Sequence, residues 1–501
     1  MSVRGFTRIH HFIEHQEDVQ PEAPALVDHN KTIYTYRAFN AAIDEAVCAL
    51  KAAGIEPHDR VLIIAENCVA AAAFIFATSK VGAWAVPVNA RMTLNEINRI
   101  IEHADPRAIV HTTDVSKEAT AHAHHLDARR QKLTCGEVRI AQRPPSVLDV
   151  SHEAEKDIAV ILYTTGTTGD PKGVMLTHKN LLFAANASAT FRKMTPQDVI
   201  YGGLPLTHVF GLASTLMAGT LAGACIRLHA RFAPEALCKD LLNGITLLPA
   251  VPQMHALVMQ YARENSIEKL NSKTLRYVSS GAAPLDPAWK RDAEAFYGVP
   301  LQNGYGMTEA TAGVCTTKNT LGNGDISVGF ALPGTEVALD TPDGEGIGEV
   351  LVNGPHVMAG YFKNPAETAK VIRDDGWLRT GDLGRFDGDG RLHITGRSKE
   401  LIIRSGFNVY PQEVEAALND FPGVVHAAVV GRKVEGNEEV LAFIQQAKGA
   451  GLTEDALKAH SAERLASYKR PARIIITEQL PAAATGKILK HKLLDVFKDK
   501  F

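Results

Sequence analysis

At 501 residues the chain has room for two or more domains and for large apolar cores. Hydrophobic residues make up 45% and charged residues 22%, ordinary proportions for a globular protein. A formal net charge of -3 gives no electrostatic reason to expect nucleic acid or an anionic membrane as partner, and no uninterrupted apolar run reaches bilayer length.

Six cysteines (Cys48, Cys68, Cys135, Cys225, Cys238, Cys315) lie far apart without a CxxC pair and read as reduced, mostly buried thiols. The first residues lack the order of a signal peptide, so a cytoplasmic location is expected. His11-Phe12-Ile13-Glu14-His15 has the H-x-x-E-H spacing of a zinc-protease pattern, but no further ligand is marked out, and a surface helix with solvated histidines is the reading. His122, His124 and His125 are read in the same way, on an exposed Ala-rich helix. Lys31 to Tyr36 alternates like a strand, Ala41 to Ala53 reads as an amphipathic helix stopped by Gly54, and Arg60 to Ile64 is strand-like. Ala70 to Val81 is helical, and Ala83 to Val88 and Ala108 to Val110 are strands. This alternation is that of a doubly wound α/β sheet.

The apolar strand Ile158 to Leu162 runs into Tyr163-Thr164-Thr165-Gly166-Thr167-Thr168-Gly169-Asp170-Pro171-Lys172-Gly173. Glycines let a backbone approach a ligand and turn N–H groups onto it; threonine hydroxyls add donors and Lys172 a point charge, the parts of a polyphosphate cradle. Gly173 after Lys172 departs from the Walker order, in which Ser or Thr follows the lysine. Strand and helix alternate again from Asp198 to Tyr305, with strands at Val199 to Tyr201, Leu204 to Leu206, Ala224 to Leu228, Ile245 to Leu248 and Arg276 to Ser279. Two pieces end in ligand-type loops, Leu204-Pro205-Leu206-Thr207-His208-Val209-Phe210-Gly211 and Ser279-Ser280-Gly281-Ala282-Ala283-Pro284, at the strand ends where open α/β sheets bind ligands. In Asn303-Gly304-Tyr305-Gly306-Met307-Thr308-Glu309 a ring suited to stacking, a hydroxyl suited to phosphate and a carboxylate suited to Mg²⁺ lie together.

From about Gly329 short strands and turns take over, with hairpin signals at Asp387-Gly388 and Asp389-Gly390. Asp382 follows Thr380-Gly381 and offers two oxygens to ribose hydroxyls. Thr395 to Asn408 reads as an interdomain linker. Beyond it helices at Pro411 to Leu418 and Glu454 to Leu465, with strands at Ala427 to Val430 and Val440 to Ile444, make an α+β unit that closes on Pro481-Ala482-Ala483-Ala484-Thr485-Gly486-Lys487.

Taken together and in this order, the stretches resemble the adenylate-forming family of acyl-CoA synthetases, amino-acid adenylation domains and beetle luciferases, from about Tyr34 to Leu493. The resemblance implies an α/β fold. A large N-terminal domain, residues 1–397, would hold doubly wound α/β subdomains and a β-rich subdomain; a small mobile α+β domain, residues 398–501, would swing about Lys399. It implies a two-step reaction. A carboxylate attacks the α-phosphate of Mg·ATP to give an acyl-adenylate and pyrophosphate; the thiol of CoA then displaces AMP.

In the family's pattern Thr164, Thr165, Gly166, Thr167, Thr168, Gly169 and Lys172 hold the β and γ phosphates, Thr308 the α-phosphate and Glu309 the Mg²⁺. Tyr305 stacks on adenine against Gly281, Ala282 and Ala283, and Asp382 and Arg397 hold the ribose. Lys487 bridges the reacting carboxylate and the α-phosphate, and His208 gates the acyl pocket. In the second pose Gly406 and Phe407 shape a tunnel for pantetheine, while Tyr468, Lys469 and Arg470, with Arg91 a weaker candidate, reach the CoA nucleotide. Two departures stand out: many members carry Lys-Thr at the positions of Ala482 and Ala483, and an aromatic that some aryl-CoA ligases place near Glu435 is missing.

The expected partners are ATP, CoA and a small carboxylic acid; the oligomeric state is left open, a homodimer among the options. His208-Val209-Phe210 lacks the aspartate with which amino-acid adenylation domains pair a substrate amine, which favours CoA over a carrier protein. A carrier-protein loading enzyme and a non-catalytic nucleotide-binding regulator are the alternatives. The acyl-pocket candidates Phe183, His208, Val209, Phe210, Leu248, Ser280, Gly304, Thr311 and Ala312 include no arginine to receive a second carboxylate. The expected acid is therefore aryl or a short-to-medium-chain fatty acid.

Overall fold

The structure, a computed structural model, describes residues 5–144, 157–165, 171–281, 285–404, 407–434, 437–482 and 488–500. Two large mixed sheets carry the main body. In the first, the strands Ile158–Thr165, Trp84–Asn89, Arg60–Ala65 and Ala108–His111 lie side by side and parallel, in that order. All six residues of Arg60–Ala65 are buried, which is why these strands read as unbroken apolar runs. Antiparallel strands finish both edges, Pro171–Thr177 and Gly360–Tyr361 on one side, Gly136–Gln142 and Arg129–Leu133 on the other. The second sheet has five parallel pairings, running through Leu301–Met307, Tyr277–Gly281, Leu247–Ala250, Val199–Gly202, Cys225–Leu228 and Pro24–Val27.

Helices fill the space between the sheets. Val69–Lys80 is apolar on every side and buried from Val69 to Ser79, as a helix with no solvent face must be. Its alanines let Tyr36–Ala52 pack closely, with Phe39 and Phe76 edge to face at 5.9 Å. A smaller antiparallel sheet of Glu336–Asp340, Gly348–Asn353, Leu378–Phe386 and Leu392–Arg397 follows. The last hundred residues have their own apolar clusters, one around Val414, Val429 and Val440, the other around Phe443, Leu480 and Leu493. The fold is thus the mixed α/β architecture expected, and among the described residues no helix is long and apolar enough to cross a membrane.

Three local expectations are corrected. His122 is buried rather than solvated: its helix, Lys117–His125, turns it inward so that Nε2 meets the carbonyls of Ala90 and Met92, each at 3.1 Å. The first helix, His11–Val19, buries Phe12 and Ile13 and is no free surface element. Next to it His10 Nδ1 contacts Ser79 Oγ at 2.8 Å and Glu14 pairs with Lys80 at 3.2 Å. Leu204 to Leu206 is not a strand; the strand ends at Gly202, and the next residues are held by Asn67. In the stretch read as a linker, Leu392–Arg397 is a strand, and Ile402–Arg404 pairs antiparallel with Phe407–Val409. Between these strands lie the 3₁₀ turn Ser398–Glu400 and Leu401.

Burial also sets the response to acid. His111, His178, His255 and His356 are buried, and burial lowers their pKa values from 6.5 to about 4, 3, 4 and 4. Each is neutral when folded but takes up a proton on unfolding below its ordinary 6.5. The unfolded chain then binds more protons, so stability is lost as pH falls through this window. Thermal melting followed from pH 7 to 4 should move steadily to lower temperature; a midpoint flat between pH 6.5 and 4 contradicts this account.

Candidate active site

The C-terminal ends of two neighbouring parallel strands form one wall of the candidate site. Tyr277–Gly281 and Leu301–Met307 pair in parallel with Gly281 opposite Gly304 and Ser280 opposite Asn303. A Cβ on Gly281 would meet Gly304 O at 3.4 Å and the Phe210 ring at 3.5 Å, and one on Gly304 would meet Cys315 O at 3.6 Å, ordinary contacts. The protein itself therefore does not demand glycine there, which leaves a flat backbone wall for a planar ligand. Ser280 Oγ and Asn303 Oδ1, both buried, have no hydrogen-bond partner among the described residues. Gly306 differs: a Cβ would sit 1.5 Å from Ala312 O, because the chain doubles back into the antiparallel strand Ala312–Thr316. That turn holds Thr308 and Glu309 in one 3₁₀ turn, and Thr311 and Ala312 take left-handed backbone angles of 46° and 85°, unusual without glycine.

Around this turn the polar groups are already paired. Buried Asp382 accepts the Tyr305 hydroxyl on Oδ2 at 2.6 Å and faces Arg397 Nε from Oδ1 at 3.0 Å. Each carboxylate oxygen keeps a second lone pair for a further donor. Gly381, at φ +72°, makes the bend that turns Asp382 inward, and the Thr380 hydroxyl accepts the Asp382 N–H at 3.0 Å. Burial, reinforced by Asp382, pushes the Tyr305 hydroxyl well above its usual range, so it stays a donor. Burial opposes the Arg397 charge, but Asp382 and Glu400 outweigh it and raise its pKa. The Tyr361 hydroxyl donates to Glu309 Oε1 at 2.9 Å, and burial beside Glu309 keeps that phenol protonated.

Lys172 stands opposite Thr164 at the end of the hairpin formed by Ile158–Thr165 and Pro171–Thr177. Its ammonium lies 2.6 Å from Glu367 Oε2 and over the Tyr361 ring at 5.1 Å. Lys172 and Lys370 together hold the Glu367 carboxyl down at about 2. Of Thr165 only the backbone is described, and Gly166, Thr167, Thr168, Gly169, Ala282, Ala283, Gly406, Glu435 and Lys487 lie outside the described residues.

His208 is exposed and caps the following helix, its Nδ1 accepting the Phe210 N–H at 3.3 Å. The helix continues from Val209–Gly211 through a π-helical stretch, Leu212–Met217, an irregularity often found beside functional sites. Among the acyl-pocket candidates Val209, Leu248 and Thr311 are core residues. Phe183 stacks on His356 at 5.3 Å, and Phe210 lies against the Gly281 wall. In the last hundred residues Phe407 stacks on Tyr468 at 4.7 Å. Arg470 bonds the carbonyls of Leu465 and Ala462, and Lys469 pairs with Glu413 at 2.6 Å.

Sequence reasoning missed Asn67, Tyr361 and Glu367. Buried Asn67 donates to the Gly202 and Leu204 carbonyls and accepts the Leu206 N–H, fixing the approach to His208. Nothing in its local sequence marks it. For Tyr361 the only signal was its place in a Gly-Tyr step ahead of Asn364-Pro365, a turn-and-helix start.

Residues 13–362 match the AMP-binding enzyme family, and residues 413–487 match the AMP-binding enzyme C-terminal domain. A feruloyl-CoA synthase from Amycolatopsis sp is 33% identical over 487 residues, which cover 95% of this chain and 96% of that one. The fold is similar to that of ATP-bound MatB from Rhodopseudomonas palustris, with a TM-score of 0.84 at 30% identity, covering 98% of this chain and 99% of that one. It is also similar to o-succinylbenzoate coenzyme A synthetase (MenE) from Bacillus subtilis in complex with ATP and magnesium ion, with a TM-score of 0.81 at 26% identity, covering 96% and 98% of the two chains.

Proposed function

The chain belongs to the AMP-binding enzyme family and is an AMP-forming carboxylate–CoA ligase, and we propose that its acid carries an apolar tail, either an aryl acid or a short-to-medium-chain fatty acid. The observation that carries the nucleotide half of this reading is buried Asp382 with Tyr305 on one oxygen and Arg397 on the other. A ribose would add its hydroxyls to the spare lone pairs of that carboxylate, and the adenine would lie between the Tyr305 ring and the Gly281 wall. Lys172, Thr164, Thr165 and the glycines and threonines after them would take the outer phosphates, and Thr308 the α-phosphate.

The donors at Glu309 suit a hard divalent cation: a carboxylate whose Oε1 is steadied by a neutral phenol, with phosphate oxygens to complete the shell. Magnesium bound there would offset the negative charge of the phosphates. The ammonium of Lys487 would lie between the acid's oxygen and the α-phosphate and hold the two reactants together as negative charge is redistributed between them. The acid's oxygen bonds to the α-phosphorus as pyrophosphate leaves; the sulfur of CoA then bonds to the acyl carbon as AMP leaves. Residues 398–501 would pivot about Lys399 between these steps, withdrawing Lys487 and bringing Gly406 and Phe407 to the tunnel.

Support for an apolar tail comes from Phe210, which lies against the Gly281 wall, and from the absence of arginine among the proposed lining residues. The name of the feruloyl-CoA synthase relative fits an aryl acid. ATP–pyrophosphate exchange with a panel of acids, followed by CoA-dependent release of AMP, tests the assignment. Benzoate-like acids or hexanoate should support exchange and malonate should not; equal turnover of malonate rejects the apolar pocket.

The Lys172–Glu367 pair carries a further expectation. Incoming phosphates compete with Glu367 for this ammonium. Glu367→Gln should lower the KM for ATP, by up to about fivefold since exposed ion pairs are weak, with kcat nearly unchanged. A raised KM would mean that Glu367 aims Lys172 rather than competes for it.

A further inference from the structure

Lys490 comes three residues after Lys487, and the described residues that flank 483–487 are joined twice over. Ala482 and Ile488 form an antiparallel bridge, and the Leu489 N–H donates to Pro481 O at 2.8 Å. Ile488 packs on the cluster of Phe443, Leu480 and Leu493. The Lys490 ammonium reaches two carboxylates, Glu400 Oε2 at 3.0 Å and Glu415 Oε1 at 2.8 Å. Glu415 belongs to the helix Pro411–Asn419, is 12% exposed and also accepts the Val429 N–H at 2.7 Å. Glu400 ends the 3₁₀ turn Ser398–Glu400 and contributes to raising the pKa of Arg397, the partner of Asp382. A line of alternating charge, Asp382, Arg397, Glu400, Lys490 and Glu415, thus runs from the proposed ribose contact past the 3₁₀ turn Ser398–Glu400 to a lysine three residues from Lys487.

We propose that Lys490 is a positioning residue for the first half-reaction: by tying Glu400, next to the proposed pivot, to Glu415 on the helix Pro411–Asn419, it fixes the chain three residues beyond Lys487 relative to that pivot. This rests on the ligase reading and on Lys487 acting in adenylation. The triad lies wholly on the C-terminal side of Lys399, so it turns with the small domain as one piece. Its geometry matters only in the pose that brings Lys487 to the α-phosphate. In the thioester pose Lys487 is withdrawn, and the same ion pairs have nothing to aim.

The test compares the two half-reactions in Lys490→Met, Glu400→Gln and Lys490→Arg. Because Lys490→Met alone strands Glu415 without a counter-charge, the paired variant Lys490→Met/Glu415→Gln is included to keep the fold. ATP–pyrophosphate exchange should fall about 10- to 100-fold in kcat, as misplacement of a reacting group by about 1 Å does, with the KM for ATP unchanged. Thioester formation from preformed acyl-adenylate and CoA should stay within about twofold of wild type, and Lys490→Arg should recover most of the exchange. Glu400→Gln and Lys490→Met combined should cost no more than Lys490→Met alone, since both break one connection. A parallel fall in both half-reactions, or no change in either, would assign the triad to stability alone and overturn the proposal. Wild-type protein that exchanges pyrophosphate with no carboxylic acid would instead overturn the ligase reading beneath it.

Discussion

Lys487→Ala is expected to slow ATP–pyrophosphate exchange by about 10²- to 10³-fold, the cost of removing one group that stabilises developing charge in a reacting centre. Thioester formation from a preformed acyl-adenylate should be largely spared. The split follows from chemistry. In adenylation an anionic carboxylate must approach an anionic phosphate, and a compact, fully charged ammonium between them relieves that repulsion. In thioester formation the nucleophile is a sulfur and the leaving group an AMP already stabilised by its own site. Exchange at full rate in the alanine variant would show that another cation performs this role.

The second large effect concerns Glu309. Glu309→Gln keeps the shape, and the amide oxygen can still accept the Tyr361 hydroxyl, but the anionic oxygen offered to a cation is lost. Changes one shell further out already weaken metal affinity by about 10- to 100-fold, so replacing the ligand itself should raise the Mg²⁺ concentration needed for half-maximal exchange by at least that factor. Tyr361→Phe, which removes only the supporting hydroxyl, should raise it less. An unchanged Mg²⁺ requirement in Glu309→Gln would place the metal elsewhere.

The fold was legible where burial acts on contiguous residues. Parallel strands such as Arg60–Ala65 are buried along their whole length and apolar from Val61 to Ala65, and Val69–Lys80 is apolar on every side from Val69 to Ala77, so both stand out in the sequence. The Thr-Gly-Asp and Tyr-Gly-Met-Thr-Glu stretches were legible as turns because their geometry calls for particular residue types close together. Contacts made across the fold were not. Asn67 serves carbonyls at positions 202 and 204, Glu367 meets Lys172, and Lys490 meets Glu400 and Glu415. Each partner is an unremarkable polar residue in its own neighbourhood, and only the folded chain makes them neighbours. The same reason explains His122. Its Ala-rich helix reads as solvated, yet packing turns that one histidine toward the Ala90 and Met92 carbonyls. Leu204 to Leu206 misled in the opposite sense, since an apolar triplet around Pro205 resembles a strand but its backbone is claimed by the Asn67 side chain.

The central claim is that Asp382, Tyr305, Glu309 and Lys172 serve one nucleotide. A crystal grown with Mg²⁺ and ATP tests it most directly. The account predicts ribose hydroxyls at about 3 Å from Asp382, adenine against the Gly281 wall, Lys172 released from Glu367 onto phosphate oxygens, and the metal on Glu309. A nucleotide bound away from Asp382, or a magnesium ion with no oxygen of Glu309 in its shell, would contradict it.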